Sequence, residues 1–124
     1  MTASYNLDQA VVSVVSSATG KQVGLAAVPA EYPQTPYAIV DPSSKSVPTG
    51  DMASLVSNRD YKYVIRCYGE DPRQVRWMED KIESAMISSA STFGAQWVLP
   101  ESSGAIVPDG SELYSSVSTF CVRM

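Results

Sequence analysis

The sequence predicts one α+β domain spanning residues 1–124, with helices and short strands built around a single sheet. Two stretches, 6–19 and 72–88, carry apolar residues at helical spacing, whereas 60–69 and the C-terminal stretch alternate with the period of two expected of strands. At 124 residues the chain is long enough for one hydrophobic core, and a chain of this size buries roughly 65% of its unfolded surface. A hydrophobic fraction of 44% against 18% charged residues is a globular composition.

In the first stretch Leu7, Ala10, Val11, Val14, Val15 and Ala18 share one helical face, Ser4 or Asn6 can cap it, and Gly20 stops it. Its β-branched content leaves a buried strand over 10–16 as the alternative. Val23, Leu25 and Ala27 then alternate as a short strand over 22–28 that closes at Pro29. Pro29, Pro33, Pro36, Pro42 and Pro48 punctuate the next twenty or so residues, with a short strand over 37–40 between them. Residues 41–50, DPSSKSVPTG, form a polar excursion, either reaching a neighbouring molecule or lying as a surface loop.

The clearest strand is DYKYVIRCYG, 60–69. Tyr61, Tyr63, Ile65 and Cys67 take one face, and Lys62, Val64, Arg66 and Tyr68 the other, which suits packing against another molecule. The best-signalled helix comes next, with Asp71 as cap, Pro72 at its first position and an apolar stripe of Val75, Met78, Ile82, Ala85 and Met86. Arg76 is placed to pair with Asp80, and Glu79, Asp80 and Glu83 read as a solvated face. Short strands over 96–99 and 105–107 are separated by turns at PESSG and PDGS, and a last strand runs to the C-terminus, with Tyr114, Phe120 and Val122 on one side and Val117 and Cys121 on the other.

The chemistry available is narrow. The sequence has no histidine, which removes the commonest general base and the commonest metal ligand. Two cysteines, Cys67 and Cys121, are too few for a cysteine zinc site or a secreted disulfide scaffold and fit a reducing cytoplasm. Both sit in strands as small buried hydrophobes; by strand parity Arg66 and Arg123 face away from them, so neither has a cation to activate it. Glu70 and Asp71 precede a helix, where carboxylates cap free amides. The serine-rich runs contain no nucleophile elbow and the glycines no phosphate-cradling spacing. Trp77 and Trp97 are either interface anchors or half-buried core residues. The net charge of −4 disfavours a grip on nucleic acid. The N-terminal stretch has no basic region before its apolar residues, so neither signal peptide nor membrane anchor is expected. The expectation is a non-enzymatic protein-binding subunit without cofactor or metal.

The order of elements, and above all TPYAIVDPSS with DYKYVIRCYGEDPRQVRWMEDKI, resembles the tail terminator (tail completion) proteins of long-tailed, siphovirus-type bacteriophages. That family has a leading helix, a proline-flanked aliphatic strand, a loop, a Y-x-V-x-(aliphatic) strand, a D-P-x-x-(aliphatic) helix start and a terminal strand. Here 36–40, 61–68, 71–75 with its helix to 88, and 113–122 match those parts, while the long PDGSEL turn and the many prolines depart from them. The resemblance implies a mixed, mainly antiparallel sheet with two helices packed on one face. It implies a virion protein assembled in the host cytoplasm and seated at the junction of tail and neck. There a homo-hexameric ring would cap the head-proximal end of the tail tube, stop its polymerisation and meet the head–tail connector, with DNA passing through without sequence-specific binding. Contact residues are expected at Lys45, Val47, Asp51 and Met52, at Lys62, Arg66 and Tyr68, and at Trp97 and Asp109. The alternatives are a head-closure or neck adaptor or another small protein-binding module, and a carboxylate-dependent hydrolase using Glu70 and Asp71.

Overall fold

Residues 4–27, 34–45, 60–109 and 113–123 are described by a computed structural model. The elements run α1 (Ser4–Thr19), β1 (Val23–Leu25), β2 (Tyr37–Lys45), β3 (Asp60–Gly69), α2 (Pro72–Ser88), α3 (Ala90–Phe93), β4 (Trp97–Ser103), β5 (Val107–Asp109) and β6 (Leu113–Arg123). The described strands form one mixed sheet in the order β1-β2-β3-β6-β4, with β5 also pairing β6; β1 runs parallel to β2 and the other pairings are antiparallel. The expected α+β fold is therefore observed, with α1 over β1 and β2 and α2 over β3, β6 and β4, packed side by side on one face.

The first helix forms despite its valines because Leu7, Val11 and Val15 are all fully buried, so tertiary packing outweighs the modest propensity of β-branched residues. It ends where Gly20 adopts a left-handed φ of 67°, its amide donating to the Ser16 carbonyl at 2.8 Å. Inside the domain, Tyr63 donates to Asp8 Oδ1 at 2.6 Å, tying the centre of β3 to α1. The start of α2 is built as its sequence signals: Asp71 Oδ1 accepts from the Gln74 amide at 2.9 Å, and Gln74 Oε1 accepts from the Glu70 amide at 2.8 Å. Gly69 stays in β3, opposite Tyr114, and a Cβ there would lie 2.9 Å from Gln74 Cβ, so the strand-to-helix turn closes tightly only over a glycine.

Several boundaries differ from the sequence expectation. The excursion over 41–50 begins as strand, since β2 stays paired to β3 through Lys45, while residues 46–50 lie outside the described residues. Pro42 is accommodated because β1 covers only Ala38–Val40 on the far side, leaving Pro42 on an edge where no described strand asks for its missing N–H, and a register shift comes after it. β4 likewise runs through the expected turn at Pro100 with a shift between Pro100 and Ser102. The strand expected over 105–107 is observed further on, as Val107–Asp109. The short α3 carries no signal in the sequence pattern; it buries Phe93, which is 1% exposed.

Glu79 corrects the reading of α2 as a helix with an entirely solvated acidic face. It is 6% exposed, and Arg76 pairs with it at 3.4 Å instead of with Asp80. One position past Met78, its side chain lies over the sheet, close enough to Cys67 to add to the rise in that thiol's pKa.

Two outcomes follow from this packing. Replacing Asp71 with alanine removes the acceptor for the Gln74 amide and should cost about 1 kcal/mol of unfolding free energy, read by urea denaturation. Burial first, and Glu79 second, push the Cys67 thiol from its ordinary value near 9.0 up to about 12, and burial with the Asp8 hydrogen bond raises Tyr63 as well. Both groups bind protons more tightly folded than unfolded, so their contribution is complete below the unfolded values and is lost as pH rises above about 9. The urea midpoint should be lower at about pH 10.5 than at about pH 8, with a smaller drop in Cys67→Ala.

Candidate interaction surface

With both long helices on one face, the opposite face of the sheet has no covering element among the described residues. Strand parity directs Tyr37, Ile39 and Asp41 of β2, Lys62, Val64, Arg66 and Tyr68 of β3, and Ser115, Val117, Thr119 and Cys121 of β6 onto it. Trp97 and Leu99 of β4 and Val107 of β5 extend it to the far edge, since their neighbours Val98 and Ser116 point to the core.

The face divides into two halves. Across β2 and β3 the charges are matched: Arg66 Nε lies 3.3 Å from Asp41 Oδ2, and Lys62 reaches over β6 to Glu101 Oε2 at 3.3 Å. These pairs are half exposed and add little to stability, but they neutralise the surface and fix its polar pattern. Tyr68 stacks on Tyr37, ring centroids 5.0 Å apart, at the end of the sheet nearest α2's start. Arg123 pairs with Asp60 at 2.9 Å at the other end. Across β6, β4 and β5 the surface is apolar: Trp97 is 40% exposed, Leu99 53%, Val107 48% and Val117 42%. Large apolar side chains gathered on one face, rimmed by paired charges, are what a protein-binding surface presents.

Of the residues expected at contacts, Lys62, Arg66, Tyr68 and Trp97 are brought onto this one face, although both cations are engaged within the chain. Lys45 and Asp109 are the last residues of β2 and β5, paired with Tyr61 and Leu113. Val47, Asp51 and Met52 lie outside the described residues. Leu99, Val107 and Val117 join the surface without having been expected there. A signal for them exists in the alternation of β6, where Val117 has the parity opposite to Phe120 and Val122, but alternation does not reveal which side of a sheet lacks a cover.

Among the described residues the thiols are buried and the carboxylates at α2's start are hydrogen-bonded within the chain. Cys67 is 1% exposed and Cys121 4%; contrary to the sequence expectation Arg123, two residues on and so on the same face of β6, acts with Lys62 to lower the Cys121 thiol, but burial outweighs them and raises both thiols, so neither has the depressed pKa of a nucleophile. The carboxylates of Glu70 and Asp71 are occupied, the first accepting from Thr35 Oγ1 at 2.8 Å and the second from the Gln74 amide. Among the described residues no group of three or more acidic or cysteine side chains could hold a metal ion, and no helix is long and apolar enough to cross a membrane.

No protein-family model and no curated protein sequence matches the chain. Among solved structures, a chain from the virion of a native gene transfer agent (GTA) particle superposes with a TM-score of 0.74 at 12% sequence identity, covering 94% of this chain and 92% of that one. At that identity the likeness is one of fold, and it extends over essentially the whole domain.

Proposed function

We propose that this chain is a structural virion protein of a tailed, phage-like particle, and that it caps the head-proximal end of the tail tube as a homo-oligomeric, six-membered ring. The observation that carries the reading is the whole-chain fold likeness to a component of a gene transfer agent virion, joined to a sheet face that its own helices leave uncovered. In this reading the ring stops tube polymerisation and offers its other surface to the head–tail connector. The protein acts by shape-matched contact, without catalysis or cofactor. Its net charge of −4 suits a ring that lets DNA pass without holding it. Ring formation calls for a head-to-tail contact between unlike surfaces of neighbouring copies, each contact commonly burying about 800 Å² per partner.

The experiment is assembly with the tube protein of the same particle. Light scattering and negative-stain microscopy of the mixture should show discrete rings seated at one end of tubes, with mean tube length falling as this protein is added. Tubes of unchanged length, with the chain remaining monomeric beside them, would contradict the proposal. A head-closure or neck adaptor, the second reading of the same fold, would bind connector protein while leaving tube length unaffected.

A further inference from the structure

Beyond the sheet face, the helix layer carries two surfaces that match each other. The first is a cleft between the C-terminal end of α1 and the start of α2, lined by Lys21, Arg73 and Trp77 with Pro36 and Gln74. Lys21 and Arg73 are exposed and make no ion pair among the described residues, and the indole of Trp77 is 40% exposed beside them. Asp71 also borders the cleft, but its carboxylate is turned onto the Gln74 amide.

The second surface lies further along α2 and around its other flank. Val75, Met78, Ile82 and Met86 point into the core, and Ala85 and Ser88 line the groove toward α1. At 100° per residue, Glu83 and Ile87 then emerge on the side away from α1, with Asp80 near the outer crest. Asp80 and Glu83 are exposed without an ion pair among the described residues, and Ile87 is 46% exposed. Arg76, on the same flank, is committed to the buried Glu79.

Each surface thus comprises two uncommitted charges of one sign and one large exposed apolar side chain, and the signs are opposite. We infer that the cleft of Lys21, Arg73 and Trp77 receives the Asp80, Glu83 and Ile87 flank of a second copy of this chain. The two surfaces are different, so one copy can offer its cleft to one neighbour and its acidic flank to the next; used in that way the contact is heterologous and propagates from copy to copy, as a ring does. The inference rests on the ring reading above and names the surfaces that close it. Exposed charges placed this way contribute more to partner choice and register than to affinity, with the apolar pair at the centre.

A charge-exchange experiment tests it. Lys21→Glu/Arg73→Glu makes both surfaces acidic, and Asp80→Lys/Glu83→Lys makes both basic. All four side chains are exposed, so both variants should fold, which thermal melts will check. Each variant alone should need at least about tenfold more protein to form rings than the unmodified chain, because every contact sets like charges together. Mixed one to one, the two should recover rings of the original mass with variants alternating, which an even-numbered ring permits. The quadruple variant, with both signs reversed, should form rings by itself. Rings from each double variant at the original concentration, or no recovery in either the mixture or the quadruple variant, would overturn this contact while leaving the ring reading standing. An unmodified chain that stays monomeric with and without tube protein would overturn both.

Discussion

The pairing of β3 with β6, continuous from Asp60–Arg123 to Gly69–Tyr114, is the constraint on which the rest of the structure depends. It joins a strand from the middle of the chain to the C-terminal strand and fixes the register of the whole sheet, because a slip of one residue would turn Tyr63, Ile65, Phe120 and Val122 out of the core. β2 is laid on the far side of β3, β4 and β5 share the far side of β6, and α2 is delivered across the pair by the tight turn at Gly69. With both long helices on the same side, no described element covers the other face of the sheet.

That asymmetry leads to the functional reading. One face has the density of a core, with Val40, Ile65, Val75 and Met78 fully buried. The other alternates ion pairs with exposed Trp97, Leu99 and Val117, a pattern that leaves apolar area for a partner. The polar groups serve the fold: burial raises both thiols, outweighing Lys62 and Arg123 beside Cys121, and the carboxylates at α2's start accept from a hydroxyl and an amide of the same chain.

Much of the fold is legible in the sequence, and the reasons for the exceptions are physical. The start of α2 is readable because Asp71, Pro72 and Gln74 act locally, through capping bonds that need no distant partner. β3 is readable because its alternation is complete on both faces. The continuation of β2 past Pro42 and of β4 past Pro100 is not, since a proline is compatible with a strand only when its missing donor faces an open edge, and edge position is decided by distant pairing. Glu79 reads as solvated in the sequence because residue type alone cannot foresee a carboxylate over the sheet with Arg76 at the rim. The candidate surface is half legible: Lys62, Arg66, Tyr68 and Trp97 are expected at contacts, whereas Leu99, Val107 and Val117 acquire meaning only once the helices are seen to share one side.

The central claim is that the uncovered sheet face is the working surface of the protein. Leu99→Thr with Val117→Thr tests it most directly, because threonine keeps the strand preference while removing apolar area at two exposed positions outside the core. Thermal unfolding and association with tube protein would be measured on the same preparation. The account predicts a melting temperature close to that of the unmodified chain together with loss of association. Undiminished association by a well-folded variant would contradict it.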